Sequence, residues 1–353
     1  MNAVRGLIKH CLCLCAVLLG IASFSVNAAE VLRVGALKYG TVNWELDVIK
    51  RHNLDYKHGF ELAVVELGSP QATVIALQGG RVDLVVNDWV WVNKQKNSRR
   101  EYGYSPYSTA IGGLVVSPAA NIYSLADLRG KRIGVAGGPV DKGWLLFRAY
   151  SKKVLGVDLN EISDIKFAAP PLLNHLLLAG ELDAVINYWH YNARLIAAGM
   201  KTLLSTEELL GVFGIEHKVP MLGWVFERSS AERRPELMNA FFAASFEAKS
   251  ILAESDTEWE AIRPLLKADS NAVFSALKAA YRAGIPEPLS PADAVAIRKI
   301  YGILYPSTAS TLVEEVDATT MMSLKNTEPN RKDKNNNFDE GMFWWQFLQR
   351  QES

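Results

Sequence analysis

Cysteine is confined to the start of this 353-residue chain, where Cys11, Cys13 and Cys15 are the full complement. Everything downstream is therefore without a disulfide, a thiol nucleophile or a thiolate metal site. Neither charge sign dominates. With 38 Lys+Arg against 38 Asp+Glu, the chain has no basic surplus for wrapping nucleic acid or coating an anionic membrane. Beyond the N-terminal segment no apolar run approaches the roughly 18 residues of a membrane-spanning helix. Catalytic signatures are also missing. The glycine-rich stretch 137–143 lacks the Gly-Lys-Ser/Thr of a phosphate loop, Gly35 and Gly40 do not make a dinucleotide fingerprint, and no Gly-x-Ser-x-Gly elbow occurs. His52, His58, His175, His190 and His217 have no zinc spacing. A calcium loop at Asp333, Asn335 and Asn337 fails because Phe338 stands where glycine is required. No metal or cofactor is expected.

What the chain does have is a large stock of apolar residues, 49% of the total, enough for a substantial core. Its first residues read as an export signal. Arg5 and Lys9 precede an apolar run over residues 11–24, and Val26-Asn27-Ala28 supplies small residues for cleavage after Ala28. A retained membrane anchor is the competing reading. Loss of Arg5 and Lys9 would tilt the even charge balance by two units toward acid.

Two segments are near copies 100 residues apart: GRVDLVVNDW at 80–89 and GELDAVINYW at 180–189. Leu32-Arg33-Val34-Gly35 likewise matches Lys131-Arg132-Ile133-Gly134, and Trp44 matches Trp144. Within each half, strand and helix alternate. The first half reads as strands over 31–36, 61–67 and 82–86, with helices over 44–52 and 70–78. Ser69 is the N-cap and Pro70 the first helical residue of the second helix, and Gly79-Gly80 is its stop. The second half reads as strands over 132–136, 165–168 and 184–186, with helices over 144–154 and 172–178. This alternation predicts an α/β fold of parallel sheets covered by helices. Residues 112–116 and 219–226 read as strands that join the halves, so the chain crosses twice between two doubly wound lobes. The expected boundaries are a signal at 1–28, a discontinuous first lobe at 29–112 and 220–325, and a second lobe at 113–219. A helical tail should pack on the first lobe. A disordered connector follows at 326–340, then an apolar end at 341–353 expected to dock on the body.

Ligands of open parallel sheets sit at the carboxyl ends of the strands. The loops there supply the candidate residues: Tyr39, Thr41, Asn43 and Trp44; Ser69 and Gln71; Asn87, Asp88 and Trp89; Ser108 and Thr109; Gly138 and Asp141; Asn187, Trp189 and His190. Helix-opening amides suit a polar or anionic oxygen, and rings suit flat ligands or cations. Core packing is an equal alternative for Trp44, Trp89, Trp144 and Trp189. An interlobe salt link or a helix cap is an equal alternative for Asn87, Asp88 and His190, and a helix N-cap for Asp141.

These loops resemble those of periplasmic substrate-binding proteins of ABC importers, in the branch that takes sulfonates, taurine, nitrate and thiamine-precursor pyrimidines. The resemblance is carried by Leu32–Gly35 leading into TVNWELD at 41–47, by Gly80-Arg81-Val82-Asp83, and by LADLRGKRIGV at 125–135. It covers residues 30–310, and the GGPVDK and NYWHY loops and GMFW at 341–344 add to it. It implies a type II periplasmic-binding-protein fold, a non-enzymatic protein that closes on one small molecule and delivers it to a membrane permease; a monomer is the default expectation. Ser69, Ser108 and Thr109 suit a sulfonate, whereas Trp44, Trp89 and Asp88 suit an aromatic or heteroaromatic ring, which is the favoured expectation. A periplasmic sensor, or an enzyme of the thiamine-precursor type on the same lobes, would be the alternative.

Overall fold

The computed structural model describes residues 29–95, 101–287 and 290–306. The expected signal segment, connector and apolar C-terminus lie outside these residues. Among the described residues, ten strands form two five-stranded sheets. The first has the order β2-β1-β3-β10-β4, from β1 (Glu30–Leu37), β2 (Phe60–Leu67), β3 (Leu84–Asp88), β4 (Tyr102–Ser108) and β10 (Leu222–Glu227). The second has the order β7-β6-β8-β5-β9, from β5 (Gly112–Val116), β6 (Arg132–Val135), β7 (Asp164–Phe167), β8 (Ala184–Tyr188) and β9 (Lys201–Ser205). We call each sheet with its covering helices a lobe.

The duplication read from the sequence is physical. Arg33 and Arg132, at equivalent places in β1 and β6, each give a backbone N–H to the aspartate that precedes the third strand. Both bonds, to Asp83 and Asp183, are 2.8 Å long. Each arginine side chain then grips the same carboxylate. The Gly-x-x-Asp words at 80–83 and 180–183 therefore encode a clamp between first and third strands. The leading glycine of each word ends a helix at positive φ, +66° at Gly80 and +74° at Gly180, where a side chain would be strained.

The sheets are not wholly parallel, contrary to expectation. In each, four strands run in one direction and a single strand runs against them. β10 lies antiparallel between β3 and β4, and β5 lies antiparallel between β8 and β9. The strands β4 and β9 are additions to the sequence reading. Tyr102, Tyr104 and Tyr107 of β4 are buried, and β9 is a half-exposed edge. The glycines that open β5, Gly112 and Gly113, have a structural reason. They serve close packing rather than flexibility: Gly112, at φ +128°, leaves no room for a Cβ, which would stand 2.1 Å from the Asn187 carbonyl oxygen.

The helical tail is shared between lobes rather than confined to the first. The helix Pro235–Glu254 packs on Val42–Arg51 and on β1 and β2, as expected. The helix Asn271–Ala283 instead lies mainly on Trp189–Ala197 of the second lobe, and Pro291–Leu304 packs on Lys142–Leu155. The reason is apolar area. Ala296, Ile297, Ile300, Tyr301 and Leu304 are all buried in a cluster that runs from Val85 and Trp89 of the first lobe to Ile133 and Trp144 of the second. A helix apolar over that much surface is covered only by using both lobes. Among the described residues, no helix is long and apolar enough to cross a membrane.

Candidate ligand-binding site

The carboxyl end of β3 faces the second lobe across a seam. Asp88 ends the strand and is only 8% exposed. Its Oδ1 accepts from the Trp91 backbone N–H at 2.8 Å, and its own N–H donates to Asn87 Oδ1 at 2.9 Å. Its Oδ2 is left for the other lobe, where Lys142 Nζ stands 2.6 Å away. Lys142 opens the helix Lys142–Leu155, capped by Asp141, whose Oδ1 accepts from the Trp144 N–H at 3.1 Å. Burial lifts the Asp141 carboxyl above its ordinary range, and the charge of Asp88 adds to the lift. Asp141 thus lies within electrostatic reach of a carboxylate on the opposite lobe.

A second contact across the seam is aromatic. Trp189 at the end of β8 meets Trp44 edge-on, with ring centroids 5.9 Å apart, and Tyr281 at 6.4 Å. Trp44 is held in turn by Trp259 and Tyr281. Directly beneath lies a buried ionic group. Glu45 accepts from Lys249, from the Ser245 hydroxyl and from the Tyr281 hydroxyl. Burial pulls the Lys249 ammonium below its ordinary range even though Glu45 opposes the shift. Its Nζ also lies 3.9 Å from the Tyr107 ring centroid. The Tyr107 hydroxyl is buried without a hydrogen-bond partner.

The remaining candidates divide by what their polar atoms already do. Ser69 caps the helix Pro70–Gln78 through Ala72, and Gln71 beside it is exposed. Asn43 donates to the Leu37 and Gly40 carbonyls and braces the turn after β1, next to Thr41. Asn187 donates to Pro170 O and Asn174 Oδ1 and accepts from Tyr188 N–H, so the scaffold takes up its side chain. Ser108 and Thr109 both bond the Gly284 carbonyl where the chain crosses between lobes. Gly138 turns at φ +88° ahead of Asp141. Tyr39 is 71% exposed, with Lys267 Nζ 3.8 Å from its ring centroid. His190 stacks on Tyr191 with its Nδ1 buried and unpartnered, and burial pushes its pKa down to about 4.

Trp89 requires a correction. It is 3% exposed and packs in the core, where its ring meets Tyr301. As the first residue of its helix it is covered at Tyr301 by the tail helix Pro291–Leu304. The expectation that Trp89 shares a ring-stacking site with Asp88 therefore fails on geometry, and Trp189 is the tryptophan at the seam.

The sequence reading passed over Lys142, Glu45, Lys249, Tyr107 and Tyr281 as site residues. One signal for Lys142 was available: a lysine in the first turn of a helix opposes the helix dipole and calls for a compensating acid nearby. The others come from segments far apart in the chain, and periodicity does not show which of them meet.

Two lobes of this topology, with strand ends opposed and joined by repeated chain crossings, define the type II periplasmic-binding-protein fold. The structural comparisons agree. An alkanesulfonate-binding protein from Xanthomonas axonopodis pv. citri, bound to MOPS, superposes with a TM-score of 0.60 at 19% identity, covering 80% of this chain and 95% of that one. The periplasmic aliphatic sulphonate-binding protein of Escherichia coli gives 0.62 at 18% identity, covering 78% and 92%. The periplasmic nitrate-binding protein of Synechocystis PCC 6803 gives 0.56 at 11%, covering 83% and 86%. No curated protein sequence matches. The sequence model described as NMT1/THI5 like matches residues 56–255, and the chain belongs to that family.

Proposed function

We propose that the protein is the periplasmic solute-binding component of an ABC-type importer. It takes a small organic molecule between its lobes, without chemical change, and hands it to the membrane permease. The reading rests above all on the seam, where Asp88, Lys142, Trp44 and Trp189 bring charge and flat apolar surface together from both lobes. Ligand contacts made with two lobes at once stabilise the closed form, because only that form offers both sets of partners. The lobes divide at residues 109–111 and 213–221. Cleavage after Ala28 releases a monomer to the periplasm.

The ligand is a small aromatic or heteroaromatic molecule. Trp44, Trp189 and Tyr281 bring rings together at the seam, and the Ser69, Ser108 and Thr109 hydroxyls are set beside backbone already engaged in caps and crossings. Asp88, Trp189, Thr41 and Tyr39 are the proposed contacts, with the buried Trp44 backing Trp189.

The test is a thermal-shift and tryptophan-fluorescence screen of the purified protein against heteroaromatic bases, aromatic acids, amines, sulfonates and nitrate. A ligand present at a hundred times its Kd adds about 2.7 kcal/mol to stability and raises Tm accordingly. Asp88→Ala and Trp189→Ala should each weaken the hit at least tenfold, about 1.4 kcal/mol, with the fold intact. Undiminished affinity in both variants would remove the site, and turnover of the hit would replace transport with catalysis.

A further inference from the structure

Lys142 stands where helix electrostatics argue against it. It is the first residue of a 14-residue helix, at the positive end of the dipole, yet its ammonium is the only charged group bonded to Asp88 across the seam among the described residues. Both ends of the pair are fixed to their own lobes. Asp88 is tied to the first lobe by the Trp91 amide and by Asn87, and Lys142 rides on a helix start pinned by Asp141. A bond of 2.6 Å between two such anchored groups carries force from lobe to lobe.

The surroundings make the charge of Lys142 matter more. Without it, the Asp88 carboxylate would be left with the partly buried Asp141 carboxyl, one residue from Lys142, as a like charge on the opposite lobe, and Asp88 already disfavours ionisation of Asp141. Like charges at this range repel, and in a partly dry seam water screens them weakly.

We propose that the Asp88–Lys142 pair is an interlobe latch: Lys142 converts a repulsion between carboxyls on opposite lobes into an attraction and sets how far the lobes close. The latch regulates the site described under Proposed function and rests on that reading for its purpose. Its mechanics do not depend on which ligand is bound. Through it the protein supplies part of the closure free energy itself, so a ligand has less to contribute.

The experiment measures lobe separation with no ligand added. Spin labels go on Glu66→Cys and Lys166→Cys, two exposed positions on the outer strands β2 and β7. The full chain is used with Cys11, Cys13 and Cys15 changed to Ser, and distances are read by pulsed electron resonance. Lys142→Met should lengthen and broaden the distance distribution, and Lys142→Arg should restore it. Asp88→Asn keeps the helix cap but removes both attraction and repulsion, so its distances should fall between wild type and Lys142→Met. An unchanged distribution in Lys142→Met overturns the latch. Should that variant fail to fold, an unchanged distribution in Asp88→Asn does the same. Failure here leaves the solute-binding reading intact if the thermal-shift screen finds a hit. Failure of the screen leaves the distance result standing.

Discussion

The two lobes share a skeleton and differ at its tips. Arg33–Asp83 and Arg132–Asp183 are the same clamp twice, Asn87 and Asn187 each accept from the following amide, and Gly35 and Gly134 each lie under packed side chains. Yet Asp88 in one copy is Tyr188 in the other, Val90 is His190, and Glu45 is Leu145. The matched positions hold strands and helices together within a lobe. The unmatched ones lie at or near the seam. Duplication supplied the frame, and divergence at the strand ends supplied whatever chemistry the seam performs.

The sharpest break in that comparison is at Glu45. Lys249→Met would leave a buried carboxylate without its counter-ion, at a cost of about 3–5 kcal/mol read from urea unfolding. Glu45→Leu with Lys249→Met copies the Leu145 arrangement of the second lobe and should recover most of the loss. A double variant as weak as the single one would mean that the charge is not the issue.

The paired tryptophans come next. Trp89→Ala should cost about 3–5 kcal/mol of stability through the cavity it leaves. Trp189→Ala, at a partly buried seam position, should cost less and act mainly on ligand affinity. Equal destabilisation in the two would erase the distinction between core and seam.

His190 gives a pH signature that Val90 lacks. Its folded pKa of about 4 lies below the ordinary 6.5, so the unfolded chain binds the proton more readily. Its contribution to stability is complete above pH 6.5 and is lost as the pH falls toward 4, at up to about 1.4 kcal/mol per unit. In His190→Val, which copies Val90 of the first lobe, that part of the slope should vanish. Identical slopes in chemical unfolding at about pH 7, 6, 5 and 4 would refute the assignment.

The smallest contrast is between the strand glycines. A Cβ on Gly134 would lie 2.6 Å from both Leu173 and Leu182, whereas one on Gly35 would have 3.1 Å to its nearest neighbours. Gly134→Ala should cost about 1–3 kcal/mol and Gly35→Ala less, judged by their Tm values.

Much of the fold was legible because the duplicated words carry local physics. Alternating apolar runs gave the strands, Ser69-Pro70 gave a helix start, and Gly79-Gly80 gave its stop. The strands of the antiparallel pairings, β4, β5, β9 and β10, were harder. Their partners are up to 142 residues away in the register of β10 with β3, where Phe226 pairs with Leu84, and no local signal reports strand direction. The site was legible in outline, since strand-end loops are easy to locate. Which side chains point across the seam was not. Trp89 and Trp189 occupy the same place in the repeat, yet one is core and the other touches the opposite lobe, because the tail helices cover them differently. Asp88 was found as a polar residue at a strand end. Its partner Lys142 lay in a loop read for its glycines.

The placement of β10 bears on how the molecule is made. Every strand of the second sheet is synthesised between residues 112 and 205, so that sheet can pair while the ribosome is still adding the tail helices that cover it. The first sheet cannot close until residue 227 has emerged, because β10 separates β3 from β4. Until then both of those strands offer bare edges to any neighbouring chain. A nascent or translocating polypeptide of this kind needs protection for its earlier-made half longer than for its later-made one.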